Sequence, residues 1–236
     1  AGATAAAVLS MQPRVTTRRT KENAMKIYGH PMSTCTRKVL MTLAEKGASA
    51  EFVMVDIMKG EGHGADHLAR QPWGQVPVFE DDDGWQLYES RAICRYLDEK
   101  LAGPKLTPSD LRQRAAMEQW VSIETSNFTA PAMKIIYQLL FSKFMGKEPN
   151  MELVEEGRKG VRKAVAVMDR QLAGHSFLVG DGLTLADIFF MPYIEYLAMC
   201  GELALITDSE RVGAWWNRIS ERPTWHKVAG RGGSAA

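Results

Sequence analysis

The first part of the chain alternates between strand and helix patterns. Met25 to Gly29 is a short apolar run and predicts a strand. Arg37 to Glu45 carries Val39, Leu40, Leu43 and Ala44 at helical spacing, and Gly47 ends that pattern. Phe52 to Ile57 reads as a second apolar strand. Val76 to Phe79 and Trp85 to Tyr88 flank Asp81-Asp82-Asp83-Gly84, which predicts a hairpin. From Ser90 to Leu101 the period is again helical, with Ile93, Tyr96, Leu97 and Leu101 on one side. A βαβ unit followed by a hairpin and a helix predicts a small sheet with helices on its faces.

The pattern changes after residue 101. Residues 102–108, Ala-Gly-Pro-Lys-Leu-Thr-Pro, have the composition of a linker. The rest, 109–229, has no convincing strand. Asp110 onward is helical, with Ala116, Trp120 and Ile123 in register, and Pro131 is expected to bend or break that helix. Leu153, Val161, Val165, Met168 and Leu172 form the apolar stripe of the next helix. Leu185 to Cys200 is apolar nearly all round and predicts a buried helix, with Thr184 and Asp187 as its capping pair. Ser209 to Arg222 closes the set with Val212, Trp215, Trp216 and Ile219 facing inward. The expected layout is an α/β domain over 25–101 followed by an all-α domain over 109–229.

Composition narrows the function classes. A chain of 236 residues, 45% hydrophobic, can bury a core without staples. A net charge of +1 gives no sequence-wide case for nucleic acid or for an acidic membrane. The three cysteines, Cys35, Cys94 and Cys200, are too few and too widely spaced for a metal signature or a disulfide framework, so no metal is implied. A reducing compartment, the cytoplasm, is the simpler reading. The thirteen methionines fill core space or line an adaptable ligand surface. Residues 1–24 contain Glu22 as their only acid and carry several arginines. They read as an organelle transit peptide, an expression remnant or a disordered tail. The Gly230 to Ala236 tail is expected to be disordered.

Two segments carry the candidate chemistry. In Gly29-His30-Pro31-Met32-Ser33-Thr34-Cys35-Thr36-Arg37, small polar residues sit where a strand hands over to a helix. A free thiol is mostly protonated at neutral pH. A helix N-terminus and a hydroxyl donor both favour the thiolate. Ser33 can supply that hydroxyl, or can serve only as an N-cap. In Gly74-Gln75-Val76-Pro77-Val78-Phe79, a proline interrupts strand-forming residues, which suits an open edge able to pair with an extended peptide. Glu89 and Ser90 then open a helix. The helix end and the Ser90 hydroxyl can take a carboxylate, and Glu89 an amine. A thiol-activating hydroxyl, a peptide-pairing edge and an amino-acid clamp match the parts of glutathione.

The order Gly-His-Pro-x-Ser-x-x-Thr-Arg, then Pro-Trp-Gly-Gln-Val-Pro, then Tyr-Glu-Ser-Arg-Ala-Ile resembles the pattern of glutathione transferases, most closely the phi class. Trp120, Glu124, Phe128, Pro131 and Leu183-Thr184-Leu185-Ala186-Asp187 add to the similarity, which spans Met25 to Val228. The resemblance implies a thioredoxin-like α/β domain before the all-helical one, glutathione as co-substrate, no further cofactor, and a homodimer. It implies Ser33 as the catalytic serine, Gln75, Val76 and Pro77 along the glutathione backbone, and Glu89 and Ser90 at its γ-glutamyl end. His63 stands where the family usually places a lysine for the glycine carboxylate, and histidine is only partly charged at neutral pH.

The second substrate is expected to be a small apolar electrophile, in a pocket lined by Met32, Phe128, Met133, Ile136 and Tyr137. Peroxidase activity on organic hydroperoxides fits the same site. Two other readings stay open. Cys35, two residues past Ser33, would be the nucleophile of a thiol-exchange enzyme if it faced the pocket, or a small core residue if it faced the sheet. A non-catalytic carrier of apolar ligands would use the same fold.

Overall fold

The structure, a computed structural model, describes residues 24–230. The expectations for residues 1–24 and for the C-terminal tail fall, but for Ala24 and Gly230, outside the described residues.

Strand β1 (Lys26–Gly29) runs parallel to β2 (Glu51–Met54) and antiparallel to β3 (Val78–Glu80). β3 pairs antiparallel with β4 (Gln86–Tyr88), giving the order β2-β1-β3-β4. Helices α1 (Thr34–Glu45) and α3 (Ser90–Lys100) bury Val39, Met41, Leu43, Ile93 and Leu97 with Ile27 and Phe79 of the sheet. Tyr28, Val55, Val76 and Val78 form a smaller apolar cluster beside α2 (Ala65–Arg70), whose Arg70 lies over the Tyr28 ring.

The strand expected to reach Ile57 ends at Met54. The Asp56 carboxylate accepts from the amides of Met58 and Lys59 and caps a tight turn over 57–59. A local side-chain bond of this kind competes with the ladder. It turns Ile57 and Met58 outward, both exposed.

The helical half starts at α4 (Leu111–Ile123), capped by Asp110. Pro131 does not break this helix. The coil widens to π pitch over Glu124–Thr129, continues as α5 (Ala130–Ile136), widens again over Tyr137–Phe141 and ends in α6 (Ser142–Phe144). The wide turn comes just before the proline and absorbs its missing N–H. The long α7 (Met151–Gln171) crosses α5 at Gly157 and Gly160. A Cβ on Gly160 would lie 2.5 Å from the Pro131 Cβ, so the proline fills a gap that only glycine leaves. Val154, not Leu153, is the fully buried residue at the start of that stripe.

Helix α8 (Leu185–Met199) is buried almost throughout, and both bonds of its Thr184–Asp187 capping box are formed. Helices α9 (Ala204–Thr207), α10 (Glu210–Ser220) and α11 (Pro223–Ala229) complete the second half. Arg222 joins the halves by donating to the Glu45 carboxylate of α1 at 2.8 and 2.6 Å. No helix among the described residues is long and apolar enough to cross a membrane.

Candidate functional site

Tyr28, Val78 and Tyr88 form one row across β1, β3 and β4. The chain leaving β1, the chain entering β3 and the chain leaving β4 therefore meet at one end of the sheet. Those connections carry Ser33, Gln75 to Pro77, and Glu89 to Ser90.

Ser33 is the N-cap of α1, with extended backbone (φ −77°, ψ 123°), and its Oγ accepts from the Thr36 amide at 3.2 Å. That bond uses a lone pair and leaves the hydroxyl hydrogen free to donate. Capping and thiolate stabilisation are therefore compatible in one side chain.

The Val76–Pro77 peptide is cis. Pairing of β3 with β1 begins at Val78, so Gln75 and Val76 lie ahead of the ladder. The segment is tied from behind. Gln71 Oε1 accepts from the amides of Trp73 and Gln75, and His67 Nε2 bonds to the Gln75 carbonyl at 2.8 Å. Glu89 has φ +70°, a left-handed conformation rare outside glycine, and it immediately precedes the buried Ser90 at the start of α3. Such strain persists where the surroundings over-determine it, as at ligand clamps.

Beneath these segments lies a buried charge cluster. Lys38 Nζ of α1 donates to Glu124 at 3.0 Å, and both side chains are fully buried. Arg91, beside Ser90, donates to the same carboxylate, as does the Thr129 hydroxyl at 2.7 Å. Burial opposes the Arg91 charge, but Glu124 outweighs it and raises the Arg91 pKa. The carboxylate of the helical half thus holds the second turn of α1 and the first turn of α3.

A cavity of about 580 Å³ opens beside Met32, lined by His30, Met32, Ile57, Met58, Tyr137, Phe141, Phe144 and Met145. Of the residues expected to line an apolar pocket, Met32 and Tyr137 do so. Phe128, Met133 and Ile136 do not. Phe128 and Ile136 are fully buried, Phe128 meets Phe190 edge-on at 5.0 Å, and Met133 packs against the core.

Cys35 lies in the first turn of α1, half-buried. It is within electrostatic reach of Arg91 and of the buried Cys94, and it is absent from the cavity lining. Its side chain thus belongs to the α1–α3 side. His63 is exposed, and its ring sits over Gly74, close to Gln75.

Comparison with known proteins decides the family. The family model of the glutathione S-transferase N-terminal domain matches residues 23–99, and that of the C-terminal domain matches residues 128–223. The chain belongs to the glutathione S-transferase family. Glutathione S-transferase F10 of Arabidopsis thaliana is 35% identical over 210 residues, covering 88% of this chain and 97% of its own. Glutathione S-transferase F11 of the same plant is 38% identical, covering 86% and 96%. The crystal structure of glutathione transferase F2 from Populus trichocarpa superposes with a TM-score of 0.83 at 36% identity, over 88% of this chain and 98% of that one. Glutathione S-transferase I from mais, solved with an atrazine glutathione conjugate, gives 0.82 at 32% identity, over 88% and 97%. The similarity is strongest to the phi class, and the fold is thioredoxin-like α/β followed by an all-helical domain.

Several residues around this glutathione transferase's cavity carry little signal in the sequence. His30 is buried, accepts the Met32 amide at Nδ1 (3.1 Å) and lines the cavity. The apolar pair Ile57-Met58 was hidden at the end of an expected strand. Phe141, Phe144 and Met145 had a signal, a dense apolar run ahead of Gly146, but no phase.

Proposed function

We propose that this glutathione transferase ionises the glutathione thiol at Ser33 and adds it to small apolar electrophiles held in the cavity beside Met32. The Ser33 hydroxyl donates to the sulfur, and the positive end of α1 adds to that stabilisation. Gln75 and Val76 pair with the peptide backbone of glutathione. Glu89 and Ser90, at the start of α3, take its amino-acid end, and His63 faces its glycine carboxylate. The electrophile meets the thiolate from the apolar side, and peroxidase turnover of organic hydroperoxides uses the same thiolate. The observation that carries this reading is the position of Ser33, an N-cap with its hydrogen free, next in the chain to cavity-lining Met32. The reading extends to a cytoplasmic homodimer, with the exposed Trp73 at the interface.

The test is conjugation of glutathione to chlorodinitrobenzene across pH. We expect Ser33→Ala to lose most of the rate and Cys35→Ser to keep it. Thiol exchange at Cys35 is the second reading, favoured by its place in the first turn of α1 near Arg91. It takes over if Ser33→Ala retains the rate and Cys35→Ser does not.

A further inference from the structure

The loop that carries Ser33 is tied down peptide by peptide. The Ser33 amide donates to His30 O at 2.9 Å, and the Met32 amide donates to His30 Nδ1 at 3.1 Å. Arg37 Nε donates to Pro31 O at 2.8 Å. These bonds lie within the first half of the chain. The remaining tie comes from the other half: the hydroxyl of Tyr196, on α8, donates to Met32 O.

Met32 O and the Ser33 amide belong to the same peptide group, which is planar. His30 O holds one end of that plane and Tyr196 holds the other. Fixing both ends fixes the plane's orientation, and with it the direction in which Ser33 projects its Cβ and Oγ. Hydrogen bonds weaken steeply once the donor is misaimed. A plane held at one end only would rock, and the donor to the sulfur would rock with it.

Tyr196 is itself held firmly. It is fully buried, and the Arg37 guanidinium lies 5.0 Å from its ring centroid. Phe141, a wall residue of the cavity, meets the same ring edge-on with centroids 6.1 Å apart. Burial raises the Tyr196 pKa, which keeps the hydroxyl protonated and able to donate. One residue of the helical half thus touches the peptide before Ser33 on one side and the cavity wall on the other.

On the reading of Ser33 given above, we propose that Tyr196 is a positioning residue for thiol ionisation, holding the Met32–Ser33 peptide so that the Ser33 hydroxyl is aimed at the sulfur. It touches neither sulfur nor electrophile. Its contact with Phe141 couples the cavity wall to the aim of that hydroxyl.

The experiment is a spectroscopic titration of thiolate in the glutathione complex of the full chain, for wild type, Tyr196→Phe, Ser33→Ala and the double variant. Tyr196→Phe keeps the ring and its contacts with Arg37 and Phe141, and removes only the donor. We expect the midpoint of bound thiolate formation to rise by about one pH unit, with kcat falling about tenfold at pH below both midpoints. The rates of wild type and Tyr196→Phe should converge at high pH. KM for glutathione should stay within about twofold, because Gln75, Val76, Glu89 and Ser90 are untouched, and a twofold change is a small one on the affinity scale. On the Ser33→Ala background, Tyr196→Phe should have no further effect. The titration reports only molecules that bind glutathione, so partial unfolding does not move its midpoint. An unshifted midpoint in Tyr196→Phe, or a loss of rate equal at every pH, overturns the proposal. If Ser33→Ala itself leaves the midpoint low, the assignment of Ser33 fails instead. If Ser33→Ala raises it and Tyr196→Phe does not, only the role of Tyr196 falls.

Discussion

Lys38 and Glu124 form a fully buried ion pair, Nζ to Oε1 at 3.0 Å, between α1 of the first half and the wide turn of the second. Lys38 also lies over the rings of Phe189 and Tyr193 of α8. Removing one member of such a pair strands the other in a low dielectric. We expect Glu124→Gln to cost about 3–5 kcal/mol of folding stability. Lys38→Met combined with Glu124→Gln should recover part of that loss, because the stranded ammonium is gone. Denaturant unfolding of the single and double variants is the measurement.

Gly62 lies against the loop that presents Gln75. A Cβ there would sit 2.4 Å from Gly74 O, a backbone atom that cannot swing aside. We expect Gly62→Ala to displace the 71–75 loop and to raise KM for glutathione about tenfold, roughly 1.4 kcal/mol of binding. The KM for the electrophile should not change. Steady-state kinetics with each substrate varied in turn separates the two.

The cavity's outer wall is Met58 and Phe144, both exposed by more than half. An apolar electrophile would cover part of each. Phe144→Ala should raise KM for an aromatic electrophile about fivefold, the loss of about 1 kcal/mol of apolar burial. Glutathione KM should hold. An unchanged electrophile KM would place the second substrate elsewhere.

Acid stability should depend on Asp98. This buried carboxylate pairs with Lys46 at 2.9 Å and accepts the amides of Leu106 and Thr107, where α3 passes into the next segment. Burial alone would raise its pKa, but the bonds from Leu106, Lys46 and Thr107 prevail and hold it below the ordinary value. A depressed carboxylate stabilises the fold above its unfolded pKa and loses that contribution as pH falls through the folded one. Asp98→Asn should therefore lower the melting temperature at neutral pH. It should flatten the further decline below about pH 4, where an unfolded aspartate begins to protonate.

The first half of the chain was legible because its periods are short and unbroken. Short apolar runs placed β1, β3 and β4, and the small polar run after Gly29 marked the N-cap that Ser33 occupies. The second half was legible as helices, in phase along α7, α8 and α10 but not along the helix that contains Pro131. Each widened turn inserts a residue, which rotates every later side chain by about 100°. Two such turns, Glu124–Thr129 and Tyr137–Phe141, precede the end of this helix. Phe128, inside the first widened turn, and Met133 and Ile136, after it, face the core, while Phe141, Phe144 and Met145, at and beyond the second, line the cavity. The Lys38–Glu124 pair had no local signal, since its members lie 86 positions apart.

That separation bears on how such chains can diversify. Recombination that joined this first half to a foreign helical half would have to bring a carboxylate to the place of Glu124. Otherwise the hybrid would inherit Lys38 and Arg91 with no counter-charge beneath its two helix starts. The halves look like interchangeable cassettes, yet the charge they share ties each to the other.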